Sequence, residues 1–302
     1  MASGPTNESD TFDIGGELTV RRLGFGAMRI TGEDIIGPPD DEAEAKAVVR
    51  RAVELGVDMI DTADSYGPGT SERLLGEVLG EDAAADDRAA DDDPVGAEDA
   101  VVASKAGLLR NREGDWIAHG DPEYLKNQAL CSLDRLRTDR IDLYQHHRPD
   151  PDVDFEDSIH AFAELKDEGE IGHVGLSNVT VEQLETAREI VDIATVQNRY
   201  NVGYREDEAV LQACEEYGIG FIPWGPMYTV EDEGVADVLA DVAGGRDATP
   251  RQVALAWLLA HSDVTLPIPG TSSVDHLESN VAASHLALTD EEMAELDAVA
   301  GE

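Results

Sequence analysis

Short apolar runs alternate with amphipathic stripes along most of this chain. After a polar opening, residues 12–14 and 18–20 flank Gly15-Gly16, which predicts a small hairpin. Residues 23–29 read as a first buried strand with its exit loop. Ala45, Val48, Val49, Ala52 and Val53 share one helical face and Gly56 follows, predicting a helix over 40–55. The alternation then repeats. Strands are expected at 58–62, 100–104, 141–146, 173–176, 194–197, 220–223 and 265–268. Helices are expected at 71–80, from Asp121-Pro122 to Leu136, and at 155–168, 181–191, 207–217, 234–242, 250–260 and 274–284, with a last one at 289–300. The strands are continuous apolar runs, as parallel strands covered on both faces should be. Eight strand–helix units in one series predict an α/β fold, a (β/α)8 TIM barrel with an N-terminal β-hairpin and extra C-terminal helices. A doubly wound sheet is the alternative. Residues 12–302 are expected to form one domain, preceded by a disordered tail at 1–11 and interrupted by an acidic surface insertion at 81–99. Segment 108–120 reads as a long loop on the carboxyl side of the third strand.

Charge changes this picture more than composition does. The 302 residues carry 65 acids against 22 bases, a net charge of −43, and only four of the bases are lysines. Such a surface repels nucleic acid and anionic membranes. It suits concentrated salt, where the Debye length is about 3 Å at 1 M and self-repulsion is screened. The expectation is therefore a halophilic protein. At 41% hydrophobic residues the chain can still bury a substantial core. Cys131 and Cys214 lack any pairing or metal spacing and read as core residues. The N-terminus has no basic and apolar leader, and no window approaches 18 uninterrupted apolar residues. A soluble, cytoplasmic protein, monomeric or weakly homo-oligomeric, is expected.

In a barrel, functional side chains gather at the carboxyl ends of the strands. Those ends carry Asp61 and then Tyr66, Lys105, His146-His147, Ser177-Asn178, Gln197, Trp224, and Gly270-Thr271-Ser272. Lys105 is unusual: a chain with four lysines has placed one at the end of an apolar strand. It could simply snorkel. It could also pair with Asp61 and, as a cation near Tyr66, lower the pKa of a phenol that ordinarily ionises near 10. Adjacent His146 and His147 point to opposite sides of a strand, so one of them should face the mouth. No spacing supports a metal site, and neither a GxSxG nor a P-loop is present. Gly24-Phe25-Gly26 lacks the third glycine of a dinucleotide fingerprint.

These segments together resemble the aldo-keto reductase family from residue 12 to 302: DTADSY with Asp61 and Tyr66, ASK with Lys105, DLYQHH, GLSN, VQN and TPRQVALAWLLA. The resemblance implies a tetrad of Asp61, Tyr66, Lys105 and His147, the family spacing selecting His147 over His146. It implies reversible reduction of an aldehyde, ketone or sugar carbonyl by a nicotinamide cofactor, with Tyr66 donating the proton. It also implies that Ser177, Asn178 and Gln197 hold the carboxamide and that Trp224 stacks on the nicotinamide. The backbone of Gly225, Pro226 and Met227 would line the pyrophosphate, with Gly26 and Met28 nearby. Around the adenosine, Gly270 and His276 stand where many members carry lysine and arginine, with Thr271, Ser272 and Asn280 close by. NADP(H) is expected from the family, with NAD(H) as the alternative because that fixed cation is missing. Trp116, in the long loop, could line the carbonyl pocket or pin the loop, and Arg29 and Tyr228 lie near other strand ends. Two other classes stay open: a regulatory cofactor-binding subunit acting through a partner, and a Schiff-base lyase using Lys105.

Overall fold

The computed structural model describes residues 11–80 and 100–299. The tail, apart from Thr11, and the insertion at 81–99 lie outside the described residues. Two strands, β1 (Thr11–Ile14) and β2 (Leu18–Arg21), form the expected antiparallel hairpin. Ile14 and Val20 are fully buried against Met59, Val101 and Ala194, so the hairpin plugs the amino ends of the strands.

The main sheet is parallel and seven-stranded. It runs β3 (Phe25–Gly26), β4 (Met59–Asp61), β5 (Val101–Ala106), β8 (Ile141–His146), β9 (Ile171–Ser177), β10 (Ile193–Gln197) and β11 (Gly220–Phe221). Helices α1 (Glu42–Glu54), α2 (Thr70–Leu79), α3 (Pro122–Leu136), α4 (Phe155–Glu168), α5 (Val181–Arg188) and α6 (Glu208–Tyr217) alternate with these strands. Then come α7 (Val235–Gly244), α8 (Pro250–His261), α9 (Val274–Ala282) and α10 (Asp290–Ala298). Capping fixes several starts where the sequence placed them. The side chain of Asp121 accepts from the Tyr124 amide, and Thr180, Thr249 and Thr289 close capping boxes.

Three expectations need correcting. The strand foreseen at 265–268 is not a regular ladder. Its segment accepts from Gly24 and Gly26 through Pro267 and Pro269 on one side and bonds Phe221 on the other. Proline has no N–H to donate, so pairing toward β3 is one-directional. The first strand shrinks to two residues because 27–30 coil into a 3-10 turn. The long loop at 108–120 holds a second antiparallel hairpin, β6 (Leu108–Arg110) with β7 (Trp116–Ala118).

Candidate active site

At the carboxyl end of the sheet, a buried chain of polar contacts starts from Lys105. Its ammonium has three protons to donate, and three acceptors stand around it. They are Asp61 Oδ2 at 2.7 Å, the Thr62 carbonyl at 2.7 Å and the Tyr66 hydroxyl at 3.3 Å. Asp61 Oδ1 in turn accepts from Gln197 Nε2 at 2.8 Å and Gln145 Nε2 at 3.4 Å. Lys105 is fully buried and Asp61 nearly so, so the pair attracts in a low-dielectric setting and is fixed by its extra hydrogen bonds. With every donor engaged, Lys105 has the geometry of a held cation rather than a free amine nucleophile.

Burial sets the charge states. It pushes the Tyr66 phenol well above its usual range, and the Asp61 charge adds to this. The net lowering that the sequence reading offered for a phenol beside a cation is not found, because burial of the phenolic oxygen is the largest effect. Burial also lowers Lys105, against the opposing pull of Asp61. His147 lies edge-on to Tyr66 at 5.8 Å, with Nδ1 3.4 Å from Ser65 Oγ. Burial, then the Lys105 charge, hold it well below the normal imidazole range, so it is neutral at pH 7. His146 points the other way, into a pocket with Phe155 and Phe162, and neither ring nitrogen finds a partner among the described residues. Asp64, in the loop between Asp61 and Tyr66, is also buried. Its Oδ2 accepts from Tyr124 Oη at 3.4 Å, and burial raises its carboxyl well above the ordinary range.

Above this group opens a cavity of about 610 Å³. Its lining includes Asp61, Tyr66, His147, Trp116, Ser177, Asn178, Gln197, Trp224, Gly225, Pro226, Met227, Gly26, Met28 and Gly270. Thr271, Ser272, His276 and Asn280 are not among the lining residues. Thr271 is buried and its hydroxyl is bonded to the backbone of Ser273, whereas Ser272 and His276 are exposed. Asn178 adopts a left-handed backbone at φ +58°. Its amide donates to the His147 carbonyl and Ser177 Oγ and accepts from Trp224 Nε1 at 3.1 Å. The floor is kept bare by glycine: a Cβ on Gly26 would sit 2.7 Å from the Ile268 carbonyl.

Several lining residues escaped the sequence reading: Ile35, Leu108, Arg148, Glu231 and Arg251. The available signal was charge. In a chain at −43, Arg29, Arg148 and Arg251 all reach this cavity. Arg251 pairs with Glu231 at 3.3 Å, whereas Arg29 and Arg148 have no ion pair among the described residues. Guanidiniums lining a cavity in an acidic protein fit a phosphate-bearing ligand.

The profile of the aldo/keto reductase family matches residues 22–300. The chain belongs to the aldo/keto reductase family. Among its relatives, an uncharacterised oxidoreductase of Schizosaccharomyces pombe is 42% identical over 282 residues, covering 93% of this chain and 87% of that protein. Pyridoxine 4-dehydrogenase of Escherichia coli is 37% identical over 303 residues, covering 97% and 99%. The holo form of an aldo-keto reductase from Bacillus halodurans superposes with a TM-score of 0.77 at 28% identity over 96% of each chain. This aldo/keto reductase is thus an oxidoreductase by family. Its parallel sheet with covering helices is the fold that the family shares.

Proposed function

We propose that the enzyme reduces an aldehyde or ketone carbonyl to an alcohol with NADP(H), and that Tyr66 supplies the proton. NAD(H) is the alternative cofactor. The observation that carries this is the Lys105 tripod: two of its contacts fix the ammonium and the third meets the phenolic oxygen.

When bound, the nicotinamide supplies hydride to the carbonyl carbon. The protein supplies everything around that event. Tyr66 stays protonated in the resting site and gives its proton to the oxygen as charge develops there. Lys105 meets the negative charge left on the phenolic oxygen, and Asp61 with Gln197 keeps Lys105 from following it. Neutral His147 orients the carbonyl oxygen beside Tyr66. Ser177, Asn178 and Gln197 would hold the carboxamide, with Asn178 also fixing the Trp224 ring for stacking. Gly26, Met28, Gly225, Pro226 and Met227 would carry the sugar and pyrophosphate. Arg29 and Arg251 add the cations that the sequence reading lacked. Gly270, Thr271, Ser272, His276 and Asn280 would continue toward the adenosine. Trp116 would border the substrate, and the segment at 264–270 counts as the eighth stave of the barrel.

The relative from Escherichia coli makes pyridoxal, an aromatic aldehyde, the first substrate to try. The acidic surface supports a monomer or weak homo-oligomer working in concentrated salt, with the cytoplasm as the proposed location. The test is a cofactor-oxidation screen in concentrated KCl, with NADPH and NADH against pyridoxal, simple aldehydes, ketones and sugars. Turnover of at least one carbonyl is expected. Tight cofactor binding with no turnover anywhere in the panel would overturn the reductase reading in favour of a regulatory subunit.

A further inference from the structure

One wall of the cavity is built against backbone preference. Asp34 and Ile35 both sit at positive φ, +54° and +61°, and for a β-branched residue such as Ile35 that is an outlier. Ile35 lines the cavity, as do Trp116 and Leu108. The loop carrying it is tied at three points. Ile35 donates its amide to the Gly32 carbonyl, the Gly67 amide donates to the Ile35 carbonyl at 3.1 Å, and Arg110 Nη2 donates to the Asp34 carbonyl at 2.7 Å. Gly67 directly follows Tyr66, so the strained residue is coupled to the proton donor.

Arg110 makes a second contact. It faces Trp116 across the β6–β7 hairpin, and its guanidinium carbon lies 3.8 Å from the centre of the Trp116 ring. Trp116 is edge-on to Tyr66 at 6.3 Å. Arg110 Nε and Nη1 are buried with no hydrogen-bond partner among the described residues. Leaving two donors unmet is costly, and a guanidinium needed only for surface solvation would not be so placed.

We propose that Arg110 is a positioning residue that clamps the substrate wall. It stacks on Trp116 and holds the strained loop at 32–37, so that Trp116 and Ile35 present a fixed apolar slot in front of Tyr66. The slot selects carbonyl compounds with a flat ring over small aliphatic or polyhydroxylated ones. The selectivity part rests on the reductase reading; the clamp does not.

The test is Arg110→Met, which keeps an apolar stem but removes the donor and the charge. Hydrogen exchange should quicken at least about tenfold in 32–37 and in the β6–β7 hairpin, and stay unchanged elsewhere. In kinetics, kcat/KM for benzaldehyde should fall about tenfold, mainly through KM, while propanal changes less than about twofold and NADPH affinity is kept. Wild-type exchange at 32–37 in the variant would overturn the clamp. Faster exchange with unchanged selectivity would overturn the slot's role in choosing substrate. If wild type oxidises no cofactor, the reductase reading fails, and exchange alone decides the clamp.

Discussion

Two side chains whose proton affinities burial has driven apart carry the proposed chemistry at the level of single residues. The Tyr66 phenol is pushed well above its usual range and the His147 imidazole well below it. At ordinary pH, therefore, the Tyr66 phenol keeps its proton and the His147 imidazole carries no charge, as the proposed roles of donor and orienting group require. An unperturbed histidine would take up a proton as pH falls through about 6.5, but His147 does not. Carbonyl reduction should therefore show no histidine inflection near pH 6.5. A kcat/KM profile measures this, and an inflection near 6.5 that vanishes in His147→Asn would contradict it. The sequence showed Asp61, Tyr66, Lys105 and His147 as strand-end residues of a family pattern. It could not show the link from Gln197 to Asp61. Those residues stand 136 positions apart, on β10 and β4, and only the curl of the sheet brings them to 2.8 Å.

At the scale of elements, legibility followed the length and the patterning of each segment. Strand β8 and helix α4 were readable to the residue because each is a long run with an unambiguous period. The β6–β7 hairpin was not, since three-residue strands around a polar turn carry too little pattern. The segment expected as a strand at 265–268 does bond both neighbouring strands, but its prolines keep it from forming a regular ladder. Strand β8 also yields a prediction. It turns His146 toward the helices, where burial lowers the ring pKa to about 4. An unfolded histidine titrates near 6.5. Between those values the unfolded chain binds a proton that the folded chain refuses, so the contribution is complete above about 6.5 and lost as pH falls toward 4. The span corresponds to roughly 3 kcal/mol at most. His146→Phe should match wild type near pH 7 to within about 1 kcal/mol and gain on it in acid. Parallel thermal melts at pH 7 and 4.5 compare them, and an unchanged difference between the two pH values would rule this out.

For the whole molecule, net charge decides the working conditions. With 65 acids and 22 bases, self-repulsion opposes the folded state wherever salt is dilute. The melting temperature should climb steeply from 0.1 to 3 M KCl as screening shortens to a few ångströms or less. A flat salt dependence would remove the case for a halophilic protein. Within that charged shell, positive groups gather where the cofactor is proposed to lie, and the fully buried Lys105 sits against the Tyr66 phenol. The proposed proton donation by Tyr66 is the step on which the account depends. Its most direct test is reduced-cofactor oxidation by wild type and Tyr66→Phe in high salt, with NADPH affinity measured on both. Wild-type turnover, a loss of at least about a hundredfold in kcat for the variant and equal NADPH binding are the expected results. A Tyr66→Phe enzyme that turns over as fast as wild type would contradict the assignment outright.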